Sequence, residues 1–349
     1  MSTRISYNGK KVYIGLDVHK ETYAVTCICE QVVVKRATVS ADPAKLAESL
    51  LRWFKGAKIY SAYEAGFSGF SLHRTLKKLG INNIVVNAAT VAVAANDKVK
   101  TDLRDSKKIA EQLSVNRLRG IYVPTENEES RRTLTRTREQ VVEARATVSR
   151  QIKSKLHYFG LMKFGDIRQL TNRYLKEIEA RNLSLEVGIS FKVLIDQWRF
   201  LTLQIHALRS ALQKQAEKYD KLEKVYQSVP GFGLITSRTL ANELGDLSRF
   251  DNERALFSYT GLTPSEHSSG DRIRRGHMSK QGSARVRWLL VEGAWRAIAK
   301  DEALKQSFDR ISKTRGKKRA IVAIARKLIG RRIRACFKAN TIYAVGTCA

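Results

Sequence analysis

Only in the first quarter of the chain do apolar residues gather into short, β-branched runs. Three follow one another, from Val12 to His19, Thr22 to Cys29 and Gln31 to Val39, each of strand length. They predict a meander. Asp42-Pro43 then opens a helix, since Asp caps well and Pro suits the first helical turn, and Leu46, Leu50, Leu51 and Phe54 continue at helical spacing. A strand over Lys58 to Tyr63, a helix striped by Leu72, Leu76 and Leu79 and ended at Gly80, and a fifth strand from Ile81 to Val86 complete the pattern. Three consecutive strands followed by alternating helix and strand predict an α/β sheet of mixed direction, with ligands outside the strand ends.

From 126 to 226 the pattern changes. Strand-like runs vanish, charges are dense, and Leu134, Val141, Val148 and Ile152 recur at helical intervals. Leu194, Leu201, Ile205, Leu208 and Leu212 continue as a seam, which predicts a helical coiled-coil insertion. Such a seam must be covered by its own antiparallel return or by a second copy, and contact between copies is the preferred expectation. At Val229-Pro-Gly-Phe-Gly233 a glycine-rich turn runs into a helix over 234–244, a helix-hairpin-helix-like signal whose free backbone N–H groups suit phosphate. Beyond it come a Gly- and Ser-rich loop, an apolar helix carrying Trp288 and Trp295, and a basic amphipathic helix from Lys313 to Arg334. For both tryptophans, core packing is a better reading than base stacking. The expected units are thus 1–125, 126–226 and 227–349: α/β first, mainly helical after.

Length and charge narrow the function classes. At 349 residues the chain has room for two or three units with their own cores. Its 64 Lys and Arg against 33 Asp and Glu give a formal charge of +31, far more than solubility needs, so a polyanion such as nucleic acid is the expected partner. Arg131, Arg132, Arg136, Arg138, Arg145 and Arg150 make the first long helix basic, as a solvated face or as a track for a nucleic-acid backbone. A membrane surface is the competing partner, but the basic residues are spread along the chain rather than beside an amphipathic anchor. The C-terminal apolar stretch from Val286 to Ala299 is interrupted by Arg287, Glu292 and Arg296, and the N-terminus lacks an apolar leader core. A soluble, cytoplasmic protein is expected. Cys27, Cys29, Cys336 and Cys348 lack zinc-ligand spacing and read as reduced, non-ligand thiols.

Four acids stand at the edges of apolar runs. Asp17 ends the first strand, Glu64 closes the run from Lys58, and Asp102 and Asp105 open a polar helix whose i, i+3 spacing puts them on one face. Any one of them has an ordinary reading as a cap or turn residue. Four carboxylates converging without cations would repel, so as a set they point to a hard divalent metal, for which Mg²⁺ is suited. His19 shares the strand face of Asp17 and either touches metal-bound water or phosphate or is structural. Lys98 and Lys100 either hold phosphate beside the acids or end a solvated helix.

The loop from Gly261 to Ser283 carries a second set. Ser268 and Ser269 precede Gly270, and Arg272, Arg274, Arg275 and Lys280 surround them. Cations of this kind bind a phosphodiester and stabilise charge developing on it while a hydroxyl attacks. Ser-Ser-Gly is also ordinary loop composition.

With Asp17 in "GLDVHK", Glu64 in "YEAG" and Asp102 with Asp105 in "KTDLRDSKKIA", the chain resembles the RuvC-like, ribonuclease-H-fold domain of the DEDD transposases in the IS110/IS1111 insertion-sequence family, described as bridge-RNA-guided recombinases. The block from Gly261 to Ser283 resembles the C-terminal transposase domain of the same family. The resemblance covers roughly Val12 to Val123 and Val229 to Lys338; the helical middle matches only in character. It implies a DNA transposase in which Asp17, Glu64, Asp102 and Asp105 bind Mg²⁺ and Ser269 forms a covalent phosphoserine link to DNA. Ser268 is the reserve nucleophile, because the family position before the serine is often charged or polar and here is a second serine; Ser279 and Ser283 rank lower. It also implies a non-coding bridge RNA pairing with donor and target DNA, and a homo-oligomer, dimer or tetramer. A metal-dependent Holliday-junction-type endonuclease and a non-enzymatic nucleic-acid scaffold are the alternatives.

Overall fold

In a computed structural model, residues 6–92, 101–163, 169–218, 220–266, 269, 272 and 274–345 are described. The chain divides into two compact units, Met1–Thr125 and Glu126–Ala349.

The first unit is built on β1 (Lys11–Val18), β2 (Thr22–Cys29), β3 (Val32–Ser40), α1 (Pro43–Trp53), β4 (Lys58–Glu64), α2 (Ser71–Lys78), β5 (Asn82–Val86) and α3 (Asp102–Ser114). The strands form one sheet in the order β3-β2-β1-β4-β5. β1 runs antiparallel to β2 and parallel to β4, and β4 runs parallel to β5, so the sheet is mixed as the pattern predicts. Asp42 caps α1 by accepting hydrogen bonds from the backbone N–H groups of Ala44 and Lys45. One sheet face carries Val12, Ile14, Leu16, Val25 and Cys27, buried with Leu46, Leu50, Leu72 and Leu76 of α1 and α2. Burial pushes the Cys27 thiol up to about 12, which keeps it an inert apolar filler.

On the other face α3 lies almost on the backbone. Gly15, paired with Thr26 of β2 and Ala62 of β4, forms with them a row of small residues across three strands. A Cβ at Gly15 would collide with the Ser106 carbonyl oxygen and the Ala110 nitrogen of α3. That close approach is why a glycine stands in the middle of a strand. Ser106 donates to the Leu103 carbonyl at 3.1 Å, which leaves the buried Thr26 hydroxyl to donate to Ser106 Oγ at 2.8 Å. Helix and sheet are thereby locked in register.

The second unit begins with α4 (Glu126–Tyr158), α5 (Asn172–Glu179) and α6 (Leu185–Lys218). α4 and α6 pack antiparallel: Trp198 donates to Ser149 Oγ at 3.0 Å, and farther on Phe159 meets Phe191 at 6.4 Å. Val148, Ile152, Leu156, Phe191, Ile195 and Trp198 share a core with Tyr174, Leu175 and Ile178 of α5. Of the predicted stripes, Val148, Ile152, Leu194 and Leu201 find cover in this core within the chain.

The remainder comprises α7 (Asp220–Gln227), α8 (Leu234–Leu244), α9 (Glu253–Thr260), β6 (Pro264–Glu266), β7 (Arg275–Met278), α10 (Ala284–Ile298), α11 (Glu302–Arg315), α12 (Lys317–Lys327) and α13 (Arg334–Ala339). α8 is buried along most of its length and pairs its fully buried Arg238 with Glu223 of α7 at 2.9 Å. Two expectations need correction. The basic tail from Lys313 is not one helix: Gly316, at φ +77°, separates α11 from α12, and a π-helical turn at 328–333 precedes α13. Neither tryptophan is core: Trp288 lies on the outer face of α10, and Trp295 is exposed as well, although Phe308 meets its ring edge-on. No described helix is long and apolar enough to cross a membrane.

Candidate active site

The polar ends of β1, β4 and α3 meet on the face that α3 covers. Leu16 pairs with Tyr63, so the next residues, Asp17 and Glu64, end adjacent parallel strands, about 4.8 Å apart in strand spacing. Asp17 and His19 follow Gly15 at two-residue intervals and share its face. Docking α3 on Gly15 then brings its first turn, with Asp102 and Asp105, over the end of β1.

Asp17, His19 and Asp102 each offer one donor atom, and these atoms lie within 4.8 Å of one another. His19 Nε2 stands 3.2 Å from a carboxylate oxygen of Asp17 and 3.2 Å from one of Asp102. That nitrogen is buried, yet its direction makes a hydrogen bond to neither acid. Burial pushes the Asp17 carboxyl up; His19 opposes the rise, and the nearby Asp102 and Asp105 add to it. A buried ring nitrogen without a hydrogen bond, facing two carboxylates of which one is desolvated, suits a bound cation, so these residues fit a divalent metal. Asp105 sits one turn along α3 and is held by Lys108 at 3.2 Å. Glu64 is half-buried at the neighbouring strand end and is not part of the three-residue donor group. Lys98 and Lys100 lie outside the described residues.

Ser269 belongs to the second unit. β6 and β7 form a hairpin in which Pro264 pairs with Met278 and Glu266 with Arg275, and at its tip Ser269 and Arg272 exchange two backbone hydrogen bonds of 3.3 Å. The base of the hairpin is fastened from both sides. Gly261 ends α9 in the left-handed conformation, at φ +67°. Ser279 donates its N–H to the Thr263 carbonyl at 2.8 Å, and Arg287 of α10 donates to the carbonyls of Gly282 at 2.9 Å and Thr260 at 3.3 Å. Ser269, Arg272, Arg274 and Lys280 are exposed, with Lys280 at φ +54°. Arg275 opens β7; Ser268 lies outside the described residues. Of the lower-ranked serines, Ser283 caps α10 by accepting from the Val286 N–H at 3.3 Å, and Ser279 Oγ bonds Thr263 Oγ1 at 3.1 Å.

Two contributors escape the sequence reading. Gly15 sets how close α3 comes, and the signal was present as a glycine inside an apolar strand. Lys108 stands three residues after Asp105 and is indistinguishable in sequence from a solvated helix lysine.

Comparison with known proteins bears on the same two regions. A transposase family model, the DEDD domain of IS110-type elements, matches residues 14–159, and the Transposase IS116/IS110/IS902 family model matches residues 223–309. A putative transposase of Sinorhizobium fredii, y4qE, is 30% identical over 82% of this chain and 72% of its own length. The transposase for insertion sequence element IS1533 of Leptospira borgpetersenii is 28% identical over 82% of this chain and 85% of its length. For IS1111A of Coxiella burnetii the identity is 27% over 73% and 71%. The mixed sheet followed by a mainly helical remainder is consistent with a RuvC-like DEDD fold, and a DEDD domain implies a divalent metal and DNA as substrate. The chain belongs to the IS110-family DEDD transposases, enzymes that cut and rejoin DNA.

Proposed function

We propose that this transposase cuts donor and target DNA through a covalent phosphoserine intermediate, under the direction of a non-coding bridge RNA. Asp17, Glu64, Asp102 and Asp105 would hold Mg²⁺, and Ser269 is the nucleophile. The observation that carries this reading is the convergence of Asp17, Asp102 and His19 where α3 docks on Gly15. Held by these residues, the metal would supply Lewis-acid polarisation of the phosphoryl group and favour ionisation of the attacking hydroxyl.

The chain's own residues do the rest. Ser269 Oγ forms a bond to phosphorus as a P–O bond of the DNA backbone breaks, and the serine proton ends on the leaving oxygen. Arg272, Arg274, Arg275 and Lys280 around the hairpin hold the phosphate and offset charge that grows on it. Lys98 and Lys100, which shortly precede Asp102 in sequence, would add phosphate contacts. The reverse step, attack of a DNA hydroxyl on the phosphoserine, rejoins the strand.

The organisation follows as a catalytic domain at 1–125, a coiled-coil region at 126–226 and a serine-bearing domain at 227–349. Exposed Leu185, Ile189, Val193, Phe200 and Leu203 recur along α6 at three-, four- and seven-residue steps, which supports a homo-oligomer, dimer or tetramer, that covers this stripe. An oligomer also allows acids and serine to come from different subunits. The charge of +31 suits a cytoplasmic particle that holds DNA and RNA together.

The test is a labelled DNA substrate incubated with protein, Mg²⁺ and candidate RNA transcribed from the flanks of the element. A protease-sensitive protein–DNA adduct forms with the wild type and is lost in Ser269→Ala, which still binds DNA. Strand cleavage that persists in Ser269→Ala, with free ends and no adduct, supports a metal-dependent junction endonuclease instead.

A further inference from the structure

Four arginines of the second unit, drawn from α4, α6 and α10, lie near one another. Arg138 and Arg145 lie two turns apart on α4, about 10.5 Å along its axis. Arg209 comes from α6 and Arg285 from the first turn of α10. Burial, and then the charges of Arg285, Arg209 and Arg145, hold the Arg138 guanidinium below its ordinary range, and its buried Nε meets no hydrogen-bond acceptor. The nearby acids do not balance the set. Glu139 stands 3.5 Å from Arg285, Glu143 is engaged by Arg150 at 3.1 Å, and Glu292 lies one turn beyond Trp288 on α10. Arg145 also lies 5.5 Å from the centre of the Trp198 ring, where it helps cover the α4–α6 contact.

Trp288 adjoins this cluster through Arg285. The residue is 52% exposed, and the Arg285 guanidinium lies 4.6 Å from the centre of its ring, covering one face. Gathering like charges costs free energy in the isolated protein, a cost that a polyanion reverses on binding. An exposed indole backed by arginine is a platform on which a base can stack, and an unpaired base has a face free to do so, whereas a base inside a duplex does not.

We propose that Arg138, Arg145, Arg209, Arg285 and Trp288 form a binding site for a single-stranded nucleic-acid segment, with phosphates on the guanidinium groups and one unpaired base on the indole of Trp288. The site lies wholly in the second unit and uses neither the acids nor Ser269. It therefore stands or falls separately from the cleavage chemistry.

The full chain is titrated with fluorescent twelve-nucleotide strands of one sequence, as DNA and as RNA, in buffer containing a chelator so that no strand is cut. Trp288→Ala weakens binding about fivefold to 150-fold, the range for losing one stacked base. Arg138→Gln and Arg209→Gln each lower the slope of log affinity against log salt by about 0.7. Arg138→Gln also raises the melting temperature of the free protein by removing a like charge, a change that a merely structural arginine would not produce. Tighter binding of one strand identifies the natural ligand as DNA or RNA, and both results support the site. Wild-type affinity in Trp288→Ala overturns it, as does an unchanged salt slope in the two arginine variants. Competition by poly-glutamate as effective as that of a strand of equal charge also overturns it, since that would make the patch a charge sink with no base platform.

Discussion

Asp17 and Asp102 are placed by the interior of their domain: a strand end, a helix seated on a glycine, and a buried Thr26–Ser106 hydrogen bond fix where both carboxylates stand. Ser269 is placed by its own turn, through two main-chain hydrogen bonds to Arg272 at the tip of a hairpin whose base is tied to α9 and α10. The acids pay for their position with a desolvated carboxylate and a ring nitrogen facing two oxygens, whereas the serine is exposed. Core changes should therefore disable the first site from a distance, while the second should respond only to changes in its own loop.

The largest effect that separates them is in the chemistry. Asp17→Asn and Asp102→Asn should each lower DNA strand cleavage about a thousandfold while leaving DNA binding in place, since each removes a charged donor from the metal site. Cleavage rates on labelled DNA, with binding measured in parallel, check this. Next is Gly15→Ala. One methyl group there meets the Ser106 carbonyl, so α3 must shift, at about 1–3 kcal/mol of stability in denaturant titration, and cleavage should fall although no acid has been touched. Wild-type cleavage in Gly15→Ala would break the comparison.

A pH series sharpens it further. The folded Asp17 carboxyl keeps its proton at a pH where the unfolded chain, with an ordinary value of 3.8, has released it. The unfolded state then binds fewer protons, so this group makes folding less favourable as pH rises through the window, and the penalty persists at neutral pH. Metal-free Asp17→Asn should therefore be more stable than the wild type at pH 7, with the advantage shrinking as pH falls through the raised value and gone below about 3.8. Thermal unfolding across pH reads it. The smallest effect is Thr26→Val, which loses one buried hydrogen bond worth about 1 kcal/mol while Gly15 still seats α3 on the sheet, so cleavage should fall, but less than in Gly15→Ala.

How much of this was legible follows from the kind of signal each part carries. The five strands and the acids at their ends could be read because β-branched runs and the polar residues that stop them are local features. Convergence of the acids could not, because it depends on the distance between α3 and β1, which Gly15 sets across about ninety residues of chain. The serine hairpin looked like loop because Pro264-Ser-Glu266 and Arg275-Gly-His-Met278 are short and show no apolar alternation; what makes them strands is their mutual pairing. In sequence Trp288 reads as core because a large ring on an apolar helix usually is, but the buried face of α10 is set by Val286, Leu289, Leu290 and Gly293, which leaves position 288 outside. Gly316 gives no signal of a break in sequence, because the basic, apolar pattern continues on both sides of it.

The most direct measurement is to digest the protein–DNA adduct and identify by mass spectrometry the residue that carries the nucleotide. The phosphodiester remnant should be on Ser269, and its formation should require Asp17 and Asp102 as well. A nucleotide carried by a residue outside the hairpin, or cut DNA recovered with free ends and no adduct from the wild-type protein, would contradict joint action of the acids and this serine on one phosphate.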